Sequence, residues 1–339
     1  PDAELIELAQ KGELSKARTL KAQTERLLND PRAERFTTNF TGQWLNLRAI
    51  NETTPDSQLH PEFDPSLQDA MLNETKLFFD EILKNNLNLN NFIDSDWTML
   101  NERLAKQYRI PGVKGTEFQK VALKPEYHRG GVLTHGSVLK VSANGANTSP
   151  VLRGAWVLDR IMGTPAPPPP PGVPGVEPDI RGAETLRQQL EKHRTLESCN
   201  GCHRVIDPPG FALENYDVIG GWRENYRSLG TGFPKPTEEQ TYGVKNVRWR
   251  VGSPVDATGT TSTGKNFTNL LEYKKILMSD SDMFARALTG KIAVYAGGRA
   301  MGFSDRTEVD RIARSVSRKG NGFRDLIHEV VQSELFRNK

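Results

Sequence analysis

The run Ser198-Cys199-Asn200-Gly201-Cys202-His203 holds the only two cysteines in the 339-residue chain. Its Cys-x-x-Cys-His spacing is the one that attaches c-type haem. Two thiols three positions apart reach the two vinyl groups on one edge of a porphyrin. The adjacent histidine is carried beneath the ring centre, which makes His203 the expected proximal iron ligand through an imidazole nitrogen. A structural zinc site needs four nitrogen or sulfur ligands, and no second cysteine pair completes one. A thioredoxin-like redox pair follows a strand and opens a helix, whereas here a helical pattern precedes the motif and prolines follow it. A plain surface disulfide remains open beside the haem reading. One covalent haem c is the expected cofactor.

Haem is attached to thiols outside the cytoplasm, so the chain is expected to be periplasmic or otherwise exported. It opens at Pro1 directly on an amphipathic pattern, which suggests a processed or truncated product. No apolar stretch approaches the roughly 20 residues of a membrane span. The 45 basic and 42 acidic side chains leave a net charge of +3, with no basic block that would favour nucleic acid or an anionic membrane.

Upstream, residues 1–112 read as a helical bundle. Leu20, Thr24, Leu27 and Leu28 form one stripe, and Phe36, Phe40, Trp44 and Leu47 recur at helical spacing after Pro31. A third helix is expected from Asp64 through Phe78 and Ile82 to the asparagine-rich stop at Asn85. A fourth, capped by Asp96, carries Leu100, Leu104 and Tyr108 and ends before Pro111. Residues 113–175 then form a Gly/Pro-rich covering segment. Val132, Leu133, Val138, Leu139 and Val141 are too interrupted by glycine to define a helix or strand. A helix resumes after Pro150 and stops at Gly163, before a stiff proline strap at Pro165 and Pro167 to Pro171. This segment is expected to fold across the haem and restrict solvent.

Residues 176–339 form the haem unit. Leu186, Leu190 and His193 share one helical face, where His193 is a core residue, a ligand or a propionate partner. Asp207-Pro208-Pro209-Gly210 signals a turn, and Phe211, Leu213, Tyr216, Val218 and Ile219 are candidate haem-wall residues. Arg223 suits a haem propionate or an exposed structural role. Helices around Phe267 to Met278, Met283 to Tyr295, Glu308 to Val316 and Phe323 to Phe336 are expected to close the unit. The distal iron ligand is open: Met301, Met162 and His135 are candidates, as is a vacant position. Asp280 and Asp282 lack the spacing of a hand-type calcium loop and fit a helix N-cap better. No phosphate loop, G-x-S-x-G elbow or H-E-x-x-H pair is present, so hydrolase chemistry has no residues to rest on.

Further runs carry a resemblance. They are Ile206 to Asp217 (Ile-Asp-Pro-Pro-Gly-Phe-Ala-Leu-Glu-Asn-Tyr-Asp), Arg129-Gly130-Gly131-Val132-Leu133-Thr134 and Thr148-Ser149-Pro150-Val151-Leu152-Arg153-Gly154. To these add Asp30-Pro31-Arg32, Gln43-Trp44-Leu45, Leu100-Asn101-Glu102-Arg103-Leu104-Ala105, Asp256-Ala257-Thr258-Gly259, Tyr295-Ala296-Gly297-Gly298-Arg299 and Ser333-Glu334-Leu335-Phe336. With the haem motif they resemble the exported multi-domain c-type cytochrome proteins of planctomycetes and verrucomicrobia, which string together domains of unknown function. The resemblance spans nearly the whole chain. It implies a haem protein without a settled activity, with additional sequence before Pro1. Gly297 stands where the family tends to have leucine, and Met301 where another apolar residue is common.

These readings define a mainly α protein in which a helical bundle packs on a c-type cytochrome unit. The expected function is electron transfer by an exported monohaem cytochrome within a larger assembly, the partner being a redox protein or other haem domains. Association with further chains or missing N-terminal domains fits this role. The alternatives are a haem-dependent oxidoreductase, peroxidase-like or acting on an organic substrate, and a scaffold stabilised by its haem.

Overall fold

The computed structural model describes residues 1–168, 185–193, 197–280 and 282–338. The expectations for Pro169 to Pro171 and for the His193 side chain fall outside them. The chain is mainly α. Helices α1 (Ala3–Gln10), α2 (Ala17–Leu28), α3 (Glu34–Trp44) and α4 (Pro65–Lys84) open it, followed by strand β1 (Trp97–Leu100), α5 (Glu102–Tyr108) and β2 (Gln119–Ala122). Then come α6 (Gly136–Val141), α7 (Pro150–Arg160), α8 (Leu186–His193) and α9 (Glu197–Phe211). Short strands β3 (Asn225–Ser228), β4 (Arg250–Pro254), β5 (Gly259–Thr260) and β6 (Asn266–Phe267) lead to α10 (Leu270–Met278), α11 (Met283–Gly297), α12 (Arg306–Arg318), α13 (Phe323–Gln332) and α14 (Glu334–Arg337). The strands pair only as antiparallel ribbons, β1 with β2, β3 with β4 and β5 with β6.

Local chemistry explains several boundaries. Asp64 accepts a hydrogen bond from Leu67 N and Pro65 sits in the first turn, which starts α4 where the sequence places it. The helix expected from Asp96 is different. Trp97 to Leu100 pair with Gln119 to Ala122 as strand β1, and Asn101, accepting from Leu104 N, caps the shorter α5. Trp97 and Thr98 are β formers buried against Phe78 and Glu74 of α4, so tertiary packing overrides the apparent helical stripe. The glycine-interrupted stretch after Gly131 likewise contains a helix, α6, whose Val138 and Leu139 are buried.

The N- and C-terminal helices share one core. Phe79 of α4 packs edge-on to Phe323 of α13, with centroids 5.0 Å apart, and Phe40 of α3 meets Tyr295 of α11 at 5.3 Å. Arg324 of α13 pairs with Glu25 of α2 at 2.7 Å. Helices α11 and α13 therefore pack on the N-terminal bundle, with α12 against both, and do not close the haem unit as the sequence suggested. Amphipathic helices bury one apolar face, and here α11 and α13 bury theirs against the aromatic residues of α3 and α4. Of the C-terminal helices, α10 and the start of α11 approach α9, where Ile276, Leu277 and Met283 share a cavity with Val205 and Pro209.

Candidate functional site

Helix α9 carries the motif and runs on through Asp207-Pro208-Pro209-Gly210, the stretch read as a turn. Proline inside a helix removes a donor and usually costs about 3 kcal/mol or more. Here α7 lies against α9 so closely that the proline-bearing backbone has a fixed partner. A Cβ on Gly154 would fall 1.7 Å from Ile206 O, and one on Gly210 would fall 1.8 Å from Pro150 O. Only glycine fits either position. At the far end of α9, fully buried Arg153 donates to Leu213 O and Tyr216 O, each at 2.7 Å, and to Asp217 O at 3.0 Å. One α7 guanidinium thus satisfies the carbonyls that follow α9. The helix also removes one ground for setting thiol redox chemistry aside, because the cysteines now lie in its first turns.

On α9, Cys199, Cys202 and His203 stand at i, i+3 and i+4 and so share one face. Both cysteines are half-buried. His203 Nδ1 lies 2.9 Å from Oδ1 of Asp207, one turn further along, whose carboxylate is fully buried. The contact fixes the ring plane and directs Nε2 to the opposite edge, the arrangement in which a carboxylate supports a metal-ligating imidazole. The donor set therefore fits a covalently attached haem: two thiols, an adjacent imidazole and a buried carboxylate behind it. Asp207 was not singled out in the sequence, although its i+4 spacing from His203 was visible; the Pro-Pro pair masked the helix that makes the spacing meaningful.

The other sequence candidates are dispersed. Arg223 is buried rather than exposed. Its Nε donates to Glu214 O at 3.0 Å, and Nη2 lies 2.8 Å from Thr148 Oγ1 and 3.4 Å from Glu214 Oε2. Fully buried Glu214 also accepts from Tyr226 Oη at 3.0 Å, so Arg223 belongs to an internal network. His135 is buried beside α4, with Nδ1 3.0 Å from Thr75 Oγ1 and its ring edge-on to Phe78 at 4.8 Å. Burial and the positive Arg129 push its pKa down to about 3. Met301, in the loop between α11 and α12, packs against the shared core. Met162 lines an apolar cavity of about 200 Å³ together with Val205 and Pro209 of α9, and Tyr273 Oη lies 3.8 Å from its sulfur. Asp282 holds the N-cap position of α11, and Asp280 just before it accepts from Met283 N at 3.0 Å.

His60, Glu62 and Asp217 bring ligand atoms within 4.8 Å of one another, a grouping the sequence did not reveal because Asp217 lies more than 150 positions from the other two. The guanidinium of Arg227 serves as their cation, 2.6 Å from Glu62 and 3.9 Å from Asp217. Burial and this neighbouring positive charge hold His60 neutral, with its pKa pushed down to about 3. An arginine in that position makes the cluster an ion-pair network.

Among the described residues no helix is long and apolar enough to cross a membrane. No curated protein and no solved structure matches the chain significantly. Three family models match in succession, each described as a protein of unknown function: DUF1592 over residues 1–110, DUF1588 over 129–226 and DUF1585 over 263–336. The middle match contains α9 and its motif. Together the three consecutive matches make up the planctomycete-type cytochrome c domain series, which the chain carries over most of its length.

Proposed function

We propose that the chain is an exported monohaem c-type cytochrome that relays electrons to a redox partner or to further haem domains. The observation that carries this reading is the set Cys199, Cys202, His203 and Asp207 on α9, with a 2.9 Å imidazole–carboxylate contact behind the ligand ring. Cys199 and Cys202 would hold the haem through thioethers and His203 its iron. The group would supply one-electron chemistry. Asp207 keeps His203 in one tautomer and orientation and makes it a stronger donor to the metal. Helix α7 excludes water from one side of α9, and the low dielectric there disfavours the extra charge of the oxidised state.

The test is the mass of the full chain, matured in a host that attaches c-type haem. One haem increment should survive acid denaturation and vanish when Cys199 and Cys202 are both replaced by Ala. Polypeptide mass alone in the denatured wild type would overturn the proposal. A two-hydrogen loss reversed by a thiol reductant would instead identify a Cys199–Cys202 redox disulfide, a reading favoured by the position of the thiols at the start of a helix.

A haem-dependent oxidoreductase is the second reading, favoured by the cavity of about 200 Å³ that α9 shares with Met162 and Tyr273. Carbon monoxide added to the reduced protein separates the two. A rapid Soret shift marks an accessible iron and favours the enzyme, whereas no response favours a six-coordinate relay.

A further inference from the structure

A second cleft, of about 800 Å³, opens where the three family-matched segments meet. Its volume falls in the range of small-molecule sites, which favour domain junctions and combine apolar walls with a few convergent polar groups. The apolar wall is Leu123, Leu271 and Trp222. Leu271 is 53% exposed, although Leu270, Tyr273 and Leu277 of the same helix are buried, and the Trp222 indole stacks on the His128 ring at 3.9 Å.

The opposite end is electropositive. Lys274 is 3% exposed and pairs with Asp94 at 2.9 Å. Arg129 is 8% exposed, sits 3.2 Å over the Tyr108 ring and donates to Thr134 O at 2.7 Å and to Gly220 O. Its buried Nε has no hydrogen-bond partner. The N-cap Asn269, which accepts from Glu272 N, and the first two residues of α10, Leu270 and Leu271, also line this cleft, so the positive end of that helix lies beside it. Against two buried cations and a helix N-terminus stand Asp94, already paired with Lys274, and Asp96 on the exposed rim. Burial pushes the Lys274 pKa down, which is the penalty an incoming anion would relieve.

We propose that this cleft binds a small organic carboxylate, its anionic end at Arg129, Lys274 and the α10 N-terminus and its apolar body against Leu123, Leu271 and Trp222. Charge complementarity selects an anion, and the apolar wall selects one with a hydrocarbon body over a bare inorganic ion. The proposal is independent of the haem reading.

Calorimetric titration of the full chain with butyrate, hexanoate and benzoate, each against its neutral amide and against inorganic phosphate, tests it. At least one carboxylate should bind saturably, about tenfold or more tighter than its amide, as expected for a charge-assisted hydrogen bond in a buried site, and tighter than phosphate. Leu271→Asp, at an exposed position that leaves the core intact, should weaken it by at least as much. Lys274→Gln should do the same, with Lys274→Arg restoring part of the affinity. No saturable carboxylate, equal binding of acid and amide, preference for phosphate, or affinity unchanged in Leu271→Asp would each overturn the proposal.

Discussion

The shared core of α3, α4, α11 and α13 and the crossing of α7 with α9 are held by opposite means. In the first, large aromatic side chains fill the space between helices, as with Phe40, Phe79, Phe92 and Phe323. In the second, the side chains are absent: Gly154 and Gly210 let backbone meet backbone, and a buried arginine bonds to carbonyls. Side-chain packing degrades gradually, because neighbours relax into a vacated volume. A backbone contact has nothing to relax. The motif-bearing helix is therefore built on the less forgiving of the two.

Gly154→Val should break the comparison most sharply. The added atoms meet the Ile206 carbonyl, so a loss above about 4 kcal/mol is expected, an exceptional value for one substitution, seen as failure to recover folded protein or a collapsed urea midpoint. Phe79→Ala in the aromatic core should cost less, about 3–5 kcal/mol spread over a cavity that can partly collapse, leaving a cooperative urea transition. If the two losses came out in reverse order, the contrast between backbone and side-chain packing would fail.

Two further expectations concern charge. Glu74 of α4 is fully buried, bonded to Tyr108 Oη at 2.6 Å and Thr98 Oγ1 at 2.8 Å, and burial raises its pKa from 4.5 to about 7. The folded state then holds a proton that the unfolded chain releases, so stability falls as pH rises from about 4.5 to about 7, by on the order of 3 kcal/mol. Denaturant midpoints measured across that window should decline, and Glu74→Gln should flatten the slope. Asp207→Asn, in contrast, should leave the urea midpoint nearly unchanged, within about 1 kcal/mol, but raise the haem reduction potential by weakening electron donation from His203. A potential that does not move would confine Asp207 to a structural role.

The smallest effect belongs to the periphery of the shared core. Glu25, bonded to Arg324 and to His328, has its pKa lowered from 4.5 to about 2, and it is 38% exposed. Its contribution is present above about pH 4.5 and fades as pH falls toward 2. Solvent screening keeps it below about 1 kcal/mol, so Glu25→Gln should shift the neutral-pH midpoint only slightly. A large shift would show that charge, and not aromatic packing, joins the two ends of the chain.

The same contrast explains what was legible in the sequence. Helices α10 to α13 announce themselves through apolar periodicity, because side-chain packing leaves its pattern in the residues. Cys199, Cys202 and His203 were legible because their spacing is local. Helix α9 beyond the motif was not, since Pro208 and Pro209 oppose a helix locally and only α7 supplies the partner that holds it. Asp207 was hidden for the same reason. Strand β1 read as helix because Leu100, Leu104 and Tyr108 happen to fall at helical spacing across an Asn101 cap. The cleft beside Lys274 depends on three distant segments meeting, which no local pattern records.

The Gly154–Ile206 contact also sets how the protein opens. With no side chain between them, α7 and α9 cannot separate slightly and remain packed, so their amides should become exchangeable with deuterium in one concerted event. The amides of α1, which buries no residue, should exchange long before them. Protection in α7 and α9 would then rise and fall together, making the two helices a single exchange unit although Arg160 ends the first and Glu197 begins the second.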